Sequence, residues 1–185
     1  VLRKEMDYTR EAIVLEKYAK NLNDSFFKVP KVNREFSNHK AICMEYLEGK
    51  HLSDIDLHSL TPQSKNRLGE KIMELFLREV FEFGYVQTDA HGGNFLVDEN
   101  AEHLSLIDFG ACLDFDEETL EVYRNFMRTS YYQDREGFLN EMNQFTENSG
   151  HPIEYDADLM WEYINHISSP MRSENYNWGT TKLPD

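Results

Sequence analysis

Residues 85–110, YVQTDAHGGNFLVDENAEHLSLIDFG, decide how the rest of the chain is read. Asp89 stands five positions before Asn94, and a second acid, Asp108, follows fourteen positions later inside an Asp-Phe-Gly turn. A hard Mg²⁺ ion takes oxygen ligands, and the amide of Asn94 and the carboxylate of Asp108 supply them. Asp89 is then free to orient a hydroxyl or a water toward a γ-phosphate. Apolar residues precede both acids, Tyr85-Val86 in one case and Leu104 to Ile107 in the other, so two short strands are expected, each ending at an acid. The bland alternative is a hairpin whose Asp, Gly and Asn residues do no more than punctuate turns.

Working outward, Thr61-Pro62 is a strong helix start, with an N-cap hydroxyl and a proline at the first helical position. Leu68, Ile72, Leu75, Phe76, Val80 and Phe83 follow at helical spacing, and Gly84 ends the run. This helix delivers Tyr85 to Asp89 to the site. His91, two residues past Asp89, is a loop histidine, and such residues are more often solvated than catalytic. Upstream, Ala12, Leu15, Tyr18 and Ala19 predict a helix from Tyr8 to about Asn21, with Glu11 near its start. Glu5 and Asp7 flank Met6 just before it, a pattern that suits either a charged helix start or a functional pair. Residues 26–32 (FFKVPKV) and 41–46 (AICMEY) predict two antiparallel strands. Beyond Gly110 the chain reads as all helix: Asp116 and Asp134 cap two helices, and a third carries Leu159, Met160, Tyr163, Ile164 and Ile167. Residues 168–185 show no periodicity and read as irregular.

Composition bounds the possibilities. The 34 acids outnumber the 19 bases, and no Lys/Arg cluster occurs, which excludes a nucleic-acid or anionic-membrane surface on this segment. Cys43 and Cys112 have neither a C-x-x-C spacing nor nearby histidines, so neither a disulfide framework nor a thiolate metal site is expected. Apolar runs stay far below the roughly 20 residues of a membrane span. The chain starts at Val1 with no charged-then-apolar leader, and reads as a segment of something longer.

The spacing D-x-x-x-x-N followed by D-F-G is that of the kinase catalytic loop and metal-binding turn. On that reading Glu45 to Leu47 form the hinge, whose backbone groups hydrogen-bond an adenine edge; an ordinary strand end is the alternative. The wording around these residues resembles the UbiB family of atypical kinases, which supports ubiquinone biosynthesis in bacteria and mitochondria. The match rests on Glu5-Met6-Asp7-Tyr8 with Glu11-Ala12, on Val86-Gln87-Thr88-Asp89 with Asn94-Phe95, and on Leu106-Ile107-Asp108-Phe109-Gly110-Ala111. Gln-Thr-Asp is the discriminating element, since protein kinases carry His-Arg-Asp there and aminoglycoside-type phosphotransferases usually carry His-Gly-Asp.

The resemblance implies an α+β, protein-kinase-like fold, here mostly the helical C-lobe with an αC-like helix and a short hairpin of the N-lobe. Residues 1–47 would be a partial N-lobe and 48–185 the C-lobe. It implies ATP and Mg²⁺ as cofactors, Asp89 as the catalytic-loop acid, and Asn94 with Asp108 as metal ligands. Glu11 would be the helix glutamate that pairs with the ATP-binding lysine, and Glu5 with Asp7 the E-x-D pair of the nucleotide side. A quinone-precursor lipid or a biosynthetic complex would be the partner, with no nucleic acid and no transmembrane segment in this chain. The compartment would be the bacterial cytoplasm or the mitochondrial matrix, with any membrane attachment carried by other segments. The family's Lys-x-Gly-Gln motif, Ala-rich loop and lysine lie upstream of the E-x-D pair, so these residues by themselves are expected to be inactive. Gly92-Gly93 replace the proline or bulkier residues of many relatives, which puts the stiffness of the loop in question. A pseudokinase-like nucleotide-binding module and a small-molecule phosphotransferase of the aminoglycoside or choline kinase type are the alternatives.

Overall fold

The computed structural model describes residues 7–148 and 154–180. Helix α1 (Tyr8–Asn21) opens on Asp7, whose Oδ1 accepts from the Thr9 N–H at 3.1 Å and the Arg10 N–H at 3.4 Å. It buries Ala12, Val14, Leu15 and Tyr18 along one face. Helix α2 (Pro62–Arg78) starts as its sequence dictates: Thr61 Oγ1 accepts from the Ser64 N–H at 3.1 Å. Its end departs from the expected regular helix. Residues Glu79–Phe83 form a π-helical turn, which turns both Glu79 and Val80 into the core. Gly84 then stops the helix at φ +73°, a left-handed conformation that a side chain would strain.

Two short strands lie between these helices in the chain and four more follow the second. Strands β1 (Phe27–Lys28), β2 (Lys50–His51), β4 (Phe95–Val97) and β5 (Leu104–Leu106) make one sheet in the order β1-β5-β4-β2. Strands β3 (Tyr85–Gln87) and β6 (Cys112–Asp114) pair separately and antiparallel. The two strands expected to end at the acids are therefore present, yet they pair with different partners.

Two expectations are corrected here. The predicted hairpin between 26–32 and 41–46 is reduced to a Val32–Met44 bridge, the bonds Asn33 N–H to Cys43 O and Glu45 N–H to Lys31 O (both 2.8 Å), and a tight turn at Asn38–Ala41. The residues before it, Phe27-Lys28, instead pair in parallel with Leu104-Ser105. Pro30 explains the break, since it has no N–H to donate to a continuous ladder. The second correction concerns the region past Gly110, which is not all helix: three residues form β6 before helix α3 begins.

Helices α3 (Glu117–Tyr131), α4 (Arg135–Asn148) and α5 (Ala157–Ile167) complete the described chain. Asp116 Oδ1 accepts from the Thr119 N–H and Asp134 Oδ1 from the Gly137 N–H, so both predicted caps are made. Phe138 of α4 packs on Phe126 of α3 and Trp161 of α5 with ring centres 5.5 and 5.6 Å apart. The tail returns to α2, where the Trp178 N–H bonds Asn66 Oδ1 at 2.9 Å.

The core centres on Tyr18. Its ring lies 5.0 Å from Tyr85, 5.0 Å from Phe109 and 6.0 Å from Phe83. One helix, the strand leading to Asp89 and the turn holding Asp108 thus share a single packed aromatic cluster.

Candidate active site

Asp89 leaves β3 on an exposed loop, and the loop closes back through a 3-10 turn at Gly92–Asn94 into β4. Three contacts fix that return. The Asn94 Nδ2 donates to the Asp89 carbonyl at 2.7 Å. His91 caps the turn, its Nδ1 accepting from the Gly93 N–H at 3.0 Å, and His51 Nδ1 lies 2.8 Å from the Gly93 carbonyl. Gly92 backs directly onto the 3-10 turn at Leu52–Asp54: a Cβ there would come within 2.8 Å of the Ser53 nitrogen. Gly92 thus permits the close packing of the loop against residues 52–54. His91 Nε2 stands 3.7 Å from Asp89 Oδ2, so a protonated His91 would pair with it.

Register brings the second acid to the first. Phe95 faces Leu106 across β4–β5, and the Ile107 N–H donates to the Asn94 carbonyl at 3.1 Å. Asn94 therefore sits opposite the residue immediately before Asp108. Asp108 is exposed, and its Oδ1 accepts from the Gly110 N–H at 2.9 Å, which leaves Oδ2 to a ligand. With its Nδ2 committed, Asn94 likewise has its amide oxygen to offer. An amide oxygen and a carboxylate are hard donors, so the residues present fit a Mg²⁺ ion. Among the described residues no group of three or more His, Cys, Asp or Glu is placed to hold a metal ion.

Glu11 approaches the same turn from α1. Its Oε1 lies 3.5 Å from the Phe109 N–H, and the side chain is buried. Burial pushes its pKa up, the Asp108 charge pushes it further, and the Phe109 N–H partly opposes both. No lysine or arginine pairs with Glu11 among the described residues. Arg10, its neighbour, instead donates to the carbonyls of Gly110 (3.3 Å) and Cys112, tying α1 to the backbone after Asp108.

The remaining predicted residues lie elsewhere. Asp7 is the N-cap of α1, and Glu5 falls outside the described residues. Glu45 and Leu47 lie on the strip after the Val32–Met44 bridge; Glu45 is exposed and accepts from the Lys31 N–H at 3.2 Å. Leu47 lines a shallow groove with Ala19, Leu22, Phe27 and Val29.

Sequence reasoning gave no structural role in the site to four buried residues behind the acids. Tyr18 is fully buried and donates its hydroxyl to Glu79 at 2.6 Å. Glu79 lies four residues after Leu75 on the same helical stripe as Leu68 and Ile72, and an acid on an apolar stripe was the signal available. Burial raises its pKa to about 7, against the lowering effect of the Tyr18 hydroxyl and the Gln87 N–H. Cys112, 3.8 Å from the Tyr18 hydroxyl, is likewise pushed up, to about 12, chiefly by burial. Gln87 had served only as a family signature; its Nε2 bonds the Asp108 carbonyl at 2.7 Å.

An Asp and an Asn on one loop, a second Asp on the next turn and a buried Glu on a crossing helix make this a protein-kinase-like molecule. The fold agrees: Rv3197 of Mycobacterium tuberculosis, solved in complex with erythromycin, superposes with a TM-score of 0.64 at 23% identity, covering 92% of this chain and 43% of that one. The family model for the ABC1 atypical kinase-like domain matches residues 1–142, and the chain belongs to that family. It is 36% identical over 174 residues to the atypical kinase COQ8, mitochondrial, of Saccharomyces cerevisiae, covering 94% of this chain and 34% of that protein. It is 35% identical to the Schizosaccharomyces pombe protein of the same name (73% and 22% covered) and 30% identical to the atypical kinase COQ8B, mitochondrial, of Rattus norvegicus (95% and 33%). The chain thus spans roughly a fifth to a third of the length of these relatives.

Proposed function

We propose that the chain carries the metal side of an Mg-ATP-dependent phosphotransferase or ATPase of the UbiB type. Asn94 and Asp108 would hold the Mg²⁺, which when bound supplies positive charge to the phosphates. Asp89 orients the attacking hydroxyl or water and takes up its proton. Glu11 steadies an ATP-binding lysine contributed from elsewhere in the protein. Glu45 and Leu47 offer backbone groups to the adenine, and Glu5 with Asp7 belong to the nucleotide side. Residues 1–47 act as part of the nucleotide-covering lobe and 48–185 as the helical lobe.

One observation carries the reading. The Asn94 side chain ties its nitrogen to the Asp89 carbonyl at 2.7 Å and leaves its oxygen uncommitted, while its backbone carbonyl accepts from Ile107, the residue before Asp108, which supports a metal ligand on the loop that presents the acid. Glu11 adds support: a buried carboxylate with a raised pKa and no cation partner among the described residues suits a lysine that arrives with the rest of the site.

The UbiB resemblance and relatives named as mitochondrial COQ8 kinases support a role in ubiquinone biosynthesis in the mitochondrial matrix, with a quinone-precursor lipid as acceptor or regulator. No helix among the described residues is long and apolar enough to cross a membrane.

Mg-dependent ATP binding and hydrolysis by the full-length protein tests the reading, with Asp108→Asn and Asp89→Asn beside wild type. Turnover is expected to fall about 100-fold or more in each, the usual loss when a positioned electrostatic group is removed. ATP binding without turnover in wild type would overturn the enzyme reading in favour of a nucleotide-gated scaffold.

A further inference from the structure

Behind the acids runs a chain of buried polar contacts that phosphoryl transfer itself does not use. It starts on α1, where the fully buried Tyr18 gives its hydroxyl proton to Glu79 Oε1 at 2.6 Å. Glu79, 3% exposed on the π-helical turn, stands close enough to the Gln87 backbone N–H for that group to pull its pKa down against the effect of burial. Strand alternation explains why that N–H is available. The Thr88 N–H bonds the Ala111 carbonyl, so the antiparallel ladder uses every second residue and the Gln87 N–H faces away from β6.

The Gln87 side chain then reaches both acid-bearing segments. Its Nε2 donates to the Asp108 carbonyl at 2.7 Å, and its Oε1 accepts from the Asp89 N–H at 3.4 Å. A single amide supplies the donor and the acceptor together, which neither a carboxylate nor an apolar side chain of the same length does. Tyr18, Glu79, Gln87, Asn94, Asp108 and Phe109 all line one small void beneath the site. Thr88 makes a second tie outside, Oγ1 to the Ala111 carbonyl at 2.6 Å, but it holds a residue three positions past the acid.

We propose that Gln87, seated by the Tyr18–Glu79 pair, is a positioning residue that fixes the spacing between the Asp89 loop and the Asp108 turn and ties both to α1. It touches neither phosphate nor metal. Its consequence for turnover rests on the proposed function; its mechanical role does not.

The test uses the full-length protein with Gln87→Met, which keeps length and burial but loses both hydrogen bonds, and Tyr18→Phe, which keeps the aromatic core and removes only the hydroxyl. Amide hydrogen exchange is followed in peptides covering 88–94, 106–111 and, as a reference, helix α4. Gln87→Met is expected to speed exchange in both site peptides about tenfold, the scale of one or two lost buried hydrogen bonds, with α4 unchanged; Tyr18→Phe gives the same pattern at about threefold. Where ATP is turned over, kcat falls about tenfold in Gln87→Met while KM for ATP stays within about threefold. Both site peptides loosening without any turnover, even in wild type, would uphold the positioning role and overturn the phosphotransfer reading. Exchange that is unchanged at 106–111, or raised equally in α4, would reduce Gln87 to an ordinary core amide, and if Gln87→Met does not fold, the Tyr18→Phe pattern decides by the same criterion.

Discussion

The segment from β3 to β6 and the strip at residues 31–47 are both short, irregular stretches between helices, and they are built in opposite ways. In the first, each acid follows a paired strand, and the strand residues are buried: Tyr85, Val86, Gln87, Phe95, Val97, Leu104 and Leu106 all belong to the interior. Hydrogen bonds then close the Asp89 loop on itself, Asn94 to the Asp89 carbonyl, and join it to the next turn, Gln87 to the Asp108 carbonyl and Thr88 to the Ala111 carbonyl. In the second, two isolated β-bridges, a few backbone bonds and the Arg34–Glu16 ion pair hold the strip, Tyr46 is 85% exposed and Phe36 65%. Position in the first segment is set by cross-strand register and by packing on α1. Position in the second rests on Val32, Ile42 and Met44 packing against the core from one side.

The largest effect is expected where the first segment meets α1. Phe109 is 1% exposed and its ring sits 5.0 Å from Tyr18, so Phe109→Ala should destabilise the protein by about 3–5 kcal/mol in urea unfolding, the usual loss for a buried aromatic. A loss under about 1 kcal/mol would mean that the Asp108 turn does not depend on this packing and would remove the contrast between the two regions.

Next comes the buried acid. Glu79 has its pKa raised from 4.5 to about 7 in the folded chain, so between those values the folded state holds a proton that the unfolded state releases. Its contribution to stability is fully present below about pH 4.5 and is lost as the pH rises through 7, with a ceiling of about 3 kcal/mol. Denaturation of wild type and Glu79→Gln at pH 5 and pH 8 should therefore show the stability difference shifting toward the variant at the higher pH. A pH-independent difference would show that Glu79 stays in one protonation state and sits in the first segment as a fixed hydrogen-bonding group.

The smallest effect is expected in the strip. Tyr46→Ala should change stability by no more than about 0.5 kcal/mol, as exposed positions without special contacts do. A larger loss would place the strip among the packed elements and sharpen the contrast elsewhere, toward the exposed Phe36.

How far the sequence reached follows from the range of the forces involved. Thr61-Pro62, Asp116 and Asp134 announced three helix starts, because a cap is made within three residues of itself. Asp89, Asn94 and Asp108 could be picked out because their spacing alone fits the chemistry. The hairpin at 26–46 was overextended because Pro30 weighs little in a count of apolar residues and much in a ladder that needs its missing N–H. The strand at Cys112–Asp114 was overlooked because three residues carry no period; only the pairing with β3 makes them a strand.

What the chain determined by itself, then, is the set of helices, the strand-end acids and the family they belong to, since these follow from neighbours a few positions apart. Tertiary structure alone decided that β3 pairs with β6 while β4 pairs with β5, and that Tyr18 meets Glu79 across 61 residues of chain to seat Gln87 beneath both acids. Those contacts form because burying an aromatic helix face against the strands leaves each polar group inside it needing a partner, and the partner that arrives is fixed by packing of the whole chain, not by any local stretch of it.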